Sequence, residues 1–197
     1  MIQIFGERNS CNNYLVKLID KNLRIEAKKS HQFPQYISGK NTIILTKNPY
    51  AWLLSLHKKP HGSHNFRSKY IYLSFEEFIR SQWGSYENAV YRYNDIMTSY
   101  INFLESTPQT YLLKSEDLQQ TPGEVLSDIA ETFGIKQRGF RNIEREVNSG
   151  GNLVEKFTKL DYYKNEEWKQ ELRKEDIKWI NSIIDKRVFE YFDYKRL

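Results

Sequence analysis

Apolar residues in this chain fall into short blocks that alternate between two spacings. Met1, Ile2, Ile4 and Phe5 form a compact run ended by Gly6. After a polar stretch, Tyr14, Leu15, Val16, Leu18 and Ile19 return at helical spacing, so the first twenty residues read as strand, tight loop and helix. The pattern recurs at Thr42–Thr46, a β-branched apolar run suited to a buried strand. Lys47-Asn48 then breaks it, and Pro49 is suited to the first turn of a helix. Between the two units, IEAKKSHQFPQY reads as a short extended segment ended by Pro34, and the basic stretch from Lys58 to Ser68 has no period and reads as a mobile loop. Ser74 with Glu77 forms a capping box, and ENAVYRYNDIMTSYINFLEST carries apolar residues at helical spacing. TYLLKSEDL reads as a strand ending in acidic residues, TPGEVLSDIAETFGI as a helix opened by Pro122 and closed at Gly134, and the tail from Asn165 as one or two amphipathic helices. Strands that alternate with helices predict a three-layer α/β fold, a parallel sheet flanked by helices, in a single domain over residues 1–197.

Composition narrows the class. The 197 residues are 39% hydrophobic and 15% aromatic, which is a globular rather than a disordered balance. A net charge of +5 favours an anionic partner, but the charges are interleaved, so a small phosphorylated ligand suffices to explain it. The single cysteine, Cys11, excludes a disulfide framework and a paired-cysteine zinc site, and no metal is expected. A reducing, cytoplasmic setting is the default. No run approaches the ~20 apolar residues of a membrane span, so no membrane segment is expected.

In a parallel sheet ligands bind beyond the carboxyl ends of the strands, which puts the loops after Phe5, Thr46 and Leu113 on one edge. Those loops carry Arg8, Ser10, Asn12 and Asn13; Lys47 and, further on, Ser55; and Glu116 with Asp117. Hydroxyl, amide and guanidinium groups there suit a phosphate, while the plainer alternative is that Ser10 or Asn12 caps a helix. The nucleotide loop GxxxxGK[ST] is absent.

Gly6-Glu7-Arg8-Asn9-Ser10-Cys11-Asn12-Asn13-Tyr14 resembles the phosphosulfate loop of the sulfotransferases, written Gly-Glu-Arg-x-Ser-Gly-Thr-Asn-Tyr in one bacterial branch. Lys47-Asn48-Pro49-Tyr50-Ala51-Trp52-Leu53-Leu54-Ser55 resembles that family's RNPxDxxxS run, whose Arg and Ser hold a 3′-phosphate, with Lys in place of Arg. KKSHQFP resembles the Lys-x-His-x-x-Pro region of its cytosolic branch, YLLKSEDL its late Tyr-Glu-Asp-Leu strand, and NSGGNLVEKFT its cofactor-closing loop. The resemblance covers roughly Ile2 to Ile135. It implies a P-loop NTPase-like sulfotransferase fold of divergent bacterial or viral type, using 3′-phosphoadenosine 5′-phosphosulfate (PAPS). By the same resemblance Arg8, Lys29 and His31 are catalytic. The cofactor is held by Gly6, Arg8, Asn9, Ser10, Cys11, Asn12, Asn13, Tyr14, Lys47 and Ser55.

The chain departs from that pattern where the chemistry is concentrated. Asn9 stands where most relatives have a cation before the Ser, Cys11 replaces Gly, and Asn occupies both Thr positions of the family's Ser-Gly-Thr-Thr form. His31 ranks first as general base. Glu26 is an outside candidate, His61 and His64 belong to the basic loop, and His57 reads as packed. Trp52, Trp83, Tyr86 and Tyr91 are candidates to line an acceptor site, or core residues. A small-molecule or glycan acceptor is expected, the sequence leaving glycan, lipid, small phenol and peptide open, and no nucleic-acid partner is expected. Two alternatives stay open: a P-loop-like nucleotide kinase, and a non-catalytic anion or nucleic-acid binder suggested by HKKPHGSHNFRSK and the pI near 9.1.

Overall fold

Branched and aliphatic side chains dominate the runs that become the first and third strands, and the second to fifth α-helices begin where an Asn or a Ser side chain caps them. The computed structural model describes residues 1–143, 145–147, 153–156 and 160–197. In chain order its elements are β1 (Ile2–Gly6), α1 (Asn12–Asn22), β2 (Ala27–Ser30), β3 (Asn41–Thr46), α2 (Pro49–Lys58), α3 (His64–Ser68), α4 (Phe75–Arg80), α5 (Ala89–Ser106), β4 (Thr110–Lys114), α6 (Ser115–Gln120) and α7 (Pro122–Thr132). After these come β5 (Arg145–Val147), β6 (Leu153–Lys156), α8 (Leu160–Lys164), a 3-10 turn (Glu167–Glu171), α9 (Lys174–Ile183) and α10 (Lys186–Tyr191). Of the run NSGGNLVEKFT, all but β6 lies outside the described residues.

Four strands pair in parallel in the order β2-β1-β3-β4, with Ile4 opposite Lys29 on one side and Ile43 on the other. Both faces of the sheet are covered. Ile2, Ile4, Ile43 and Leu45 pack with Leu15, Leu18 and Ile19 of α1 and Leu126 and Ile129 of α7. Phe5 and Ile44 pack on the other face with Trp52 of α2, Tyr93 and Tyr100 of α5, Ile180 of α9 and Phe189 of α10. A parallel sheet requires this double covering, and it gives the three-layer α/β fold that the alternation of elements predicts. β5 and β6 form a separate antiparallel pair.

Local chemistry sets the boundaries. The Asn48 side chain accepts hydrogen bonds from the Tyr50 and Ala51 N–H groups and Pro49 occupies the first turn, so α2 starts two residues after Lys47. A cap of this kind contributes about 1 kcal/mol. Ser74 and Glu77 make the reciprocal capping box at α4. Two expectations are corrected. The stretch Lys58–Ser68 is not one loop, because α2 runs through Lys58 and the Ser63 side chain, accepting from the Phe66 N–H, starts α3. The strand β4 ends at Lys114, and Glu116 and Asp117 lie in the first turn of α6, where negative charge meets the positive end of the helix. Among the described residues no helix is long and apolar enough to cross a membrane.

Candidate functional site

From β1 the chain passes to β2 on one side and then returns to β3 on the other, so the connections diverge above the carboxyl ends of β1 and β3. A crevice opens at such a reversal of strand order. The loop Glu7–Cys11 and the start of α2 lie at that reversal.

The loop is tied down through its carbonyl groups. Asn12 Nδ2 donates to Gly6 O at 3.2 Å and Glu7 O at 2.8 Å, Trp52 Nε1 to Arg8 O at 2.9 Å, and Ser115 Oγ to Ser10 O at 3.0 Å. Of the loop N–H groups, that of Arg8 donates to Glu7 Oε1 and that of Ser10 to Glu7 O, so an anion there would draw on the remaining N–H groups and the end of α1. Asn9 and Cys11 complete the turn with left-handed backbones, φ 66° and 63°. That conformation suits Asn and strains Cys, which explains physically why the related loop has Gly at this position. Gly6 is required for a different reason: a Cβ there would lie 2.3 Å from Asn12 Oδ1. The helix α1 has no side-chain cap, and its positive end faces the loop. The expectation that Ser10 or Asn12 caps α1 is therefore corrected: Cys11 is the N-cap residue, and the Asn12 amide holds the loop's own carbonyls. The Tyr14 hydroxyl turns away from the loop, donating to Asn142 Oδ1 at 2.7 Å, and burial pushes its pKa up to about 12. Cys11 Sγ accepts from Gln119 Nε2 at 2.7 Å.

At the end of β3, Lys47 is only 3% exposed. Its ammonium donates to Ser55 Oγ at 2.7 Å and Asn9 O at 3.1 Å and lies 4.3 Å from the centre of the Tyr163 ring. Among the described residues no carboxylate pairs with it. A buried cation whose hydrogen bonds go only to neutral groups is costly; the Glu116 carboxyl, near enough to feel the Lys47 charge, offsets part of that cost, and an anion would offset more. Its backbone is held by Tyr93 Oη, which donates to Lys47 O at 2.6 Å, and by Glu116, whose Oε1 accepts the Asn48 N–H at 2.9 Å. Burial pushes the Glu116 pKa up, and its Oε2 is buried with no hydrogen-bond partner among the described residues.

A second group of cations lies beside the loop. Arg8 is exposed, and its guanidinium has no hydrogen bond or ion pair among the described residues. Lys29, on the edge strand β2, has its pKa lowered by burial and by Arg8, and His31 just beyond that strand is lowered by burial first, then by Arg8 and Lys29. His31 Nδ1 lies 2.7 Å from Gly6 O. A carbonyl only accepts, so Nδ1 carries the proton. In the neutral ring Nε2 is then the basic nitrogen. Between Arg8 and Arg92 lies His61, whose pKa falls to about 4 through burial first, then Arg8, Arg92 and His31. Glu7, 1% exposed, offsets part of this charge: its Oε1 accepts the Arg8 N–H at 2.7 Å and its Oε2 accepts from Arg92 at 2.6 Å.

The structure thus brings Gly6, Arg8, Asn9, Ser10, Cys11, Lys29, His31, Lys47 and Ser55 to one edge of the sheet. Glu26 precedes β2, at the opposite edge, and is excluded as a base. His64 is exposed on α3, and His57 is packed, its Nε2 2.8 Å from Leu73 O. His61 is not a solvated loop residue, since its ring packs edge-on to Trp83 at 5.5 Å. Trp52 and Trp83 belong to the core. Of the four aromatic candidates, Tyr86 alone lines the pocket beside His31, together with Gln32, Phe33, Arg92 and Ile96. Sequence reasoning missed Glu7 and Arg92 as a pair, and Tyr163. The motif contains Glu7, but nothing local links it to a residue 85 positions away.

No family model matches the chain, and no curated protein matches it. Among solved structures it is similar to the sulfotransferase domain from the curacin biosynthetic pathway, with a TM-score of 0.54 at 16% identity over 88% of this chain and 64% of that domain. The chain spans less than two thirds of the length of that domain. At this identity the likeness bears on the fold alone, and the fold is sulfotransferase-like.

Proposed function

We propose that the protein is a sulfotransferase that takes a sulfuryl group from PAPS and passes it to a hydroxyl or amine of a small-molecule or glycan acceptor. The observation that carries this reading is Lys47, buried at the end of β3 with no carboxylate paired to it among the described residues, on Ser55 and against the loop that follows β1. Two anion sites on neighbouring strand ends suit a ligand with two separated phosphate groups, the 5′ end on the loop Gly6–Tyr14 and the 3′ end on Lys47 and Ser55.

The loop geometry fits that group. Gly6 leaves no room for a side chain, and Arg8 and Lys29 make no ion pair among the described residues, so the positive charge that Glu7 leaves uncompensated faces the loop. When bound, PAPS would supply the sulfuryl group and a phosphate leaving group. Arg8 stabilises negative charge as it grows on that phosphate, together with loop N–H groups. His31 Nε2 takes the proton of the acceptor hydroxyl entering through the pocket of Phe33, Tyr86 and Ile96.

Thermal protection separates this reading from the alternatives: adenosine 3′,5′-bisphosphate should raise the melting temperature, and ATP with magnesium or an oligonucleotide should not. Calorimetry then locates the site. Lys47→Ala and Ser55→Ala should each weaken the bisphosphate at least tenfold, and no binding by the intact protein would remove the reading.

A further inference from the structure

The carboxy-terminal part of the chain reaches the same edge of the sheet through α8. Its adjacent residues Tyr162 and Tyr163 meet α2 one turn apart. Tyr162 Oη donates to Glu171 Oε1 at 2.6 Å and accepts from Lys58 Nζ at 2.9 Å, and Lys58 Nζ also donates to Glu171 Oε1 at 2.6 Å. That network anchors α8 to the last turn of α2. Tyr163 is thereby carried over Ser55, three residues before Lys58. Its hydroxyl lies 2.7 Å from Ser55 Oγ, and its ring faces the Lys47 ammonium.

The hydrogens can be assigned. Ser55 Oγ donates its one proton to Ala51 O at 2.7 Å and accepts from Lys47 Nζ at 2.7 Å. Its remaining lone pair accepts from Tyr163, so Tyr163 is the donor and its proton points at the Lys47–Ser55 pair. An ammonium and a phenol hydroxyl therefore aim at one oxygen that is itself a hydroxyl. A phosphate oxygen beside Ser55 can accept from both and adds the negative charge that the hydrogen-bond partners of Lys47 do not carry. The Tyr163 ring meanwhile shields Lys47 from water, which strengthens its interaction with an anion.

We infer that Tyr163 is a third ligand-binding residue of the Lys47–Ser55 site, donating its hydroxyl to a terminal phosphate monoester. The site thereby prefers nucleotides that carry a 3′-phosphate over those that do not. This rests on the nucleotide reading above and deepens it. A ring that merely plugs an empty site makes the opposite demand, since its removal would favour the anion.

The test is isothermal titration of the intact chain and Tyr163→Phe with adenosine 3′,5′-bisphosphate and with 5′-AMP, after matched melting curves. Tyr163→Phe keeps the ring over Lys47 and removes only the donor. The bisphosphate should bind about 10- to 100-fold more weakly to the variant, the scale of one hydrogen bond to a charged group, while 5′-AMP affinity should be unchanged. Equal or tighter bisphosphate binding by Tyr163→Phe would overturn the inference and leave the nucleotide reading intact. An equal loss for both nucleotides would also overturn it, because the effect would not be specific to the 3′-phosphate. No bisphosphate binding by the intact chain would overturn both.

Discussion

His61 couples the candidate site to acid stability, and the size of the coupling follows from its surroundings. Its ring is enclosed beside Trp83, with 19% of the side chain exposed, and faces Arg8, Arg92 and His31. Among the described residues the one carboxylate near it, Glu7, lies 3.7 Å from Nε2 but already holds Arg92 at 2.6 Å. Protonation in the folded state would add a charge among positive neighbours, so the pKa is held at about 4, against an ordinary 6.5. A lowered histidine pKa means that the unfolded chain binds the extra proton more readily. The stabilisation is therefore full above about pH 6.5 and is lost as the pH falls towards 4. From pH 7 to pH 5 the loss is roughly 2 kcal/mol, an upper figure because part of the ring meets solvent, against a typical total of about 5–15 kcal/mol. Urea unfolding of the intact chain and of His61→Gln at pH 7, 6 and 5 isolates the effect, because carboxylate titrations are common to both proteins. The advantage of the intact chain over the variant should shrink by about 2 kcal/mol between pH 7 and pH 5. Parallel stability curves would refute the reasoning and mean that Glu7 supports a protonated ring.

Two further outcomes test the loop. Arg8→Ala should lower kcat by about 100-fold or more, the scale of losing one preorganised stabilising group, with a smaller loss of nucleotide affinity. It should also move the acid limb of kcat upward, because Arg8 is one of the causes that lower the His31 pKa; an unshifted limb in pH–rate profiles would place Arg8 away from His31. Cys11→Gly should raise stability by about 1 kcal/mol by relieving the left-handed backbone, read as a higher urea midpoint. A lower midpoint would show that the contact of Cys11 with Gln119 outweighs the strain.

The sequence by itself determined what depends on neighbours along the chain. Alternating apolar runs specified β1, β3, β4 and the helices between them, because a buried strand needs a continuous apolar run and a surface helix needs a 3.6-residue period. Parallel pairing then placed the ends of β1 and β3 on one edge, which is why Gly6–Tyr14 and Lys47–Ser55 could be read as one site before any contact was known. Ser63 as a helix cap and the end of β4 at Lys114 were missed at boundaries, where a single hydrogen bond decides and a composition pattern has no resolution.

Only the tertiary structure decided which side chains of the motif are available for chemistry. Asn12 and Tyr14 read as ligand contacts in the motif; in the structure the Asn12 Nδ2 is engaged by the Gly6 and Glu7 carbonyls and the Tyr14 hydroxyl by Asn142. His61 read as a solvated loop residue, yet the turn after α2 buries it between two arginines. Glu7 with Arg92, and Tyr163 with Ser55, join residues 85 and 108 positions apart. Such pairs have no signature in the sequence, because electrostatic compensation and hydrogen-bond satisfaction are set by distance in space. Folding of the chain onto both faces of one parallel sheet is what makes those distances short.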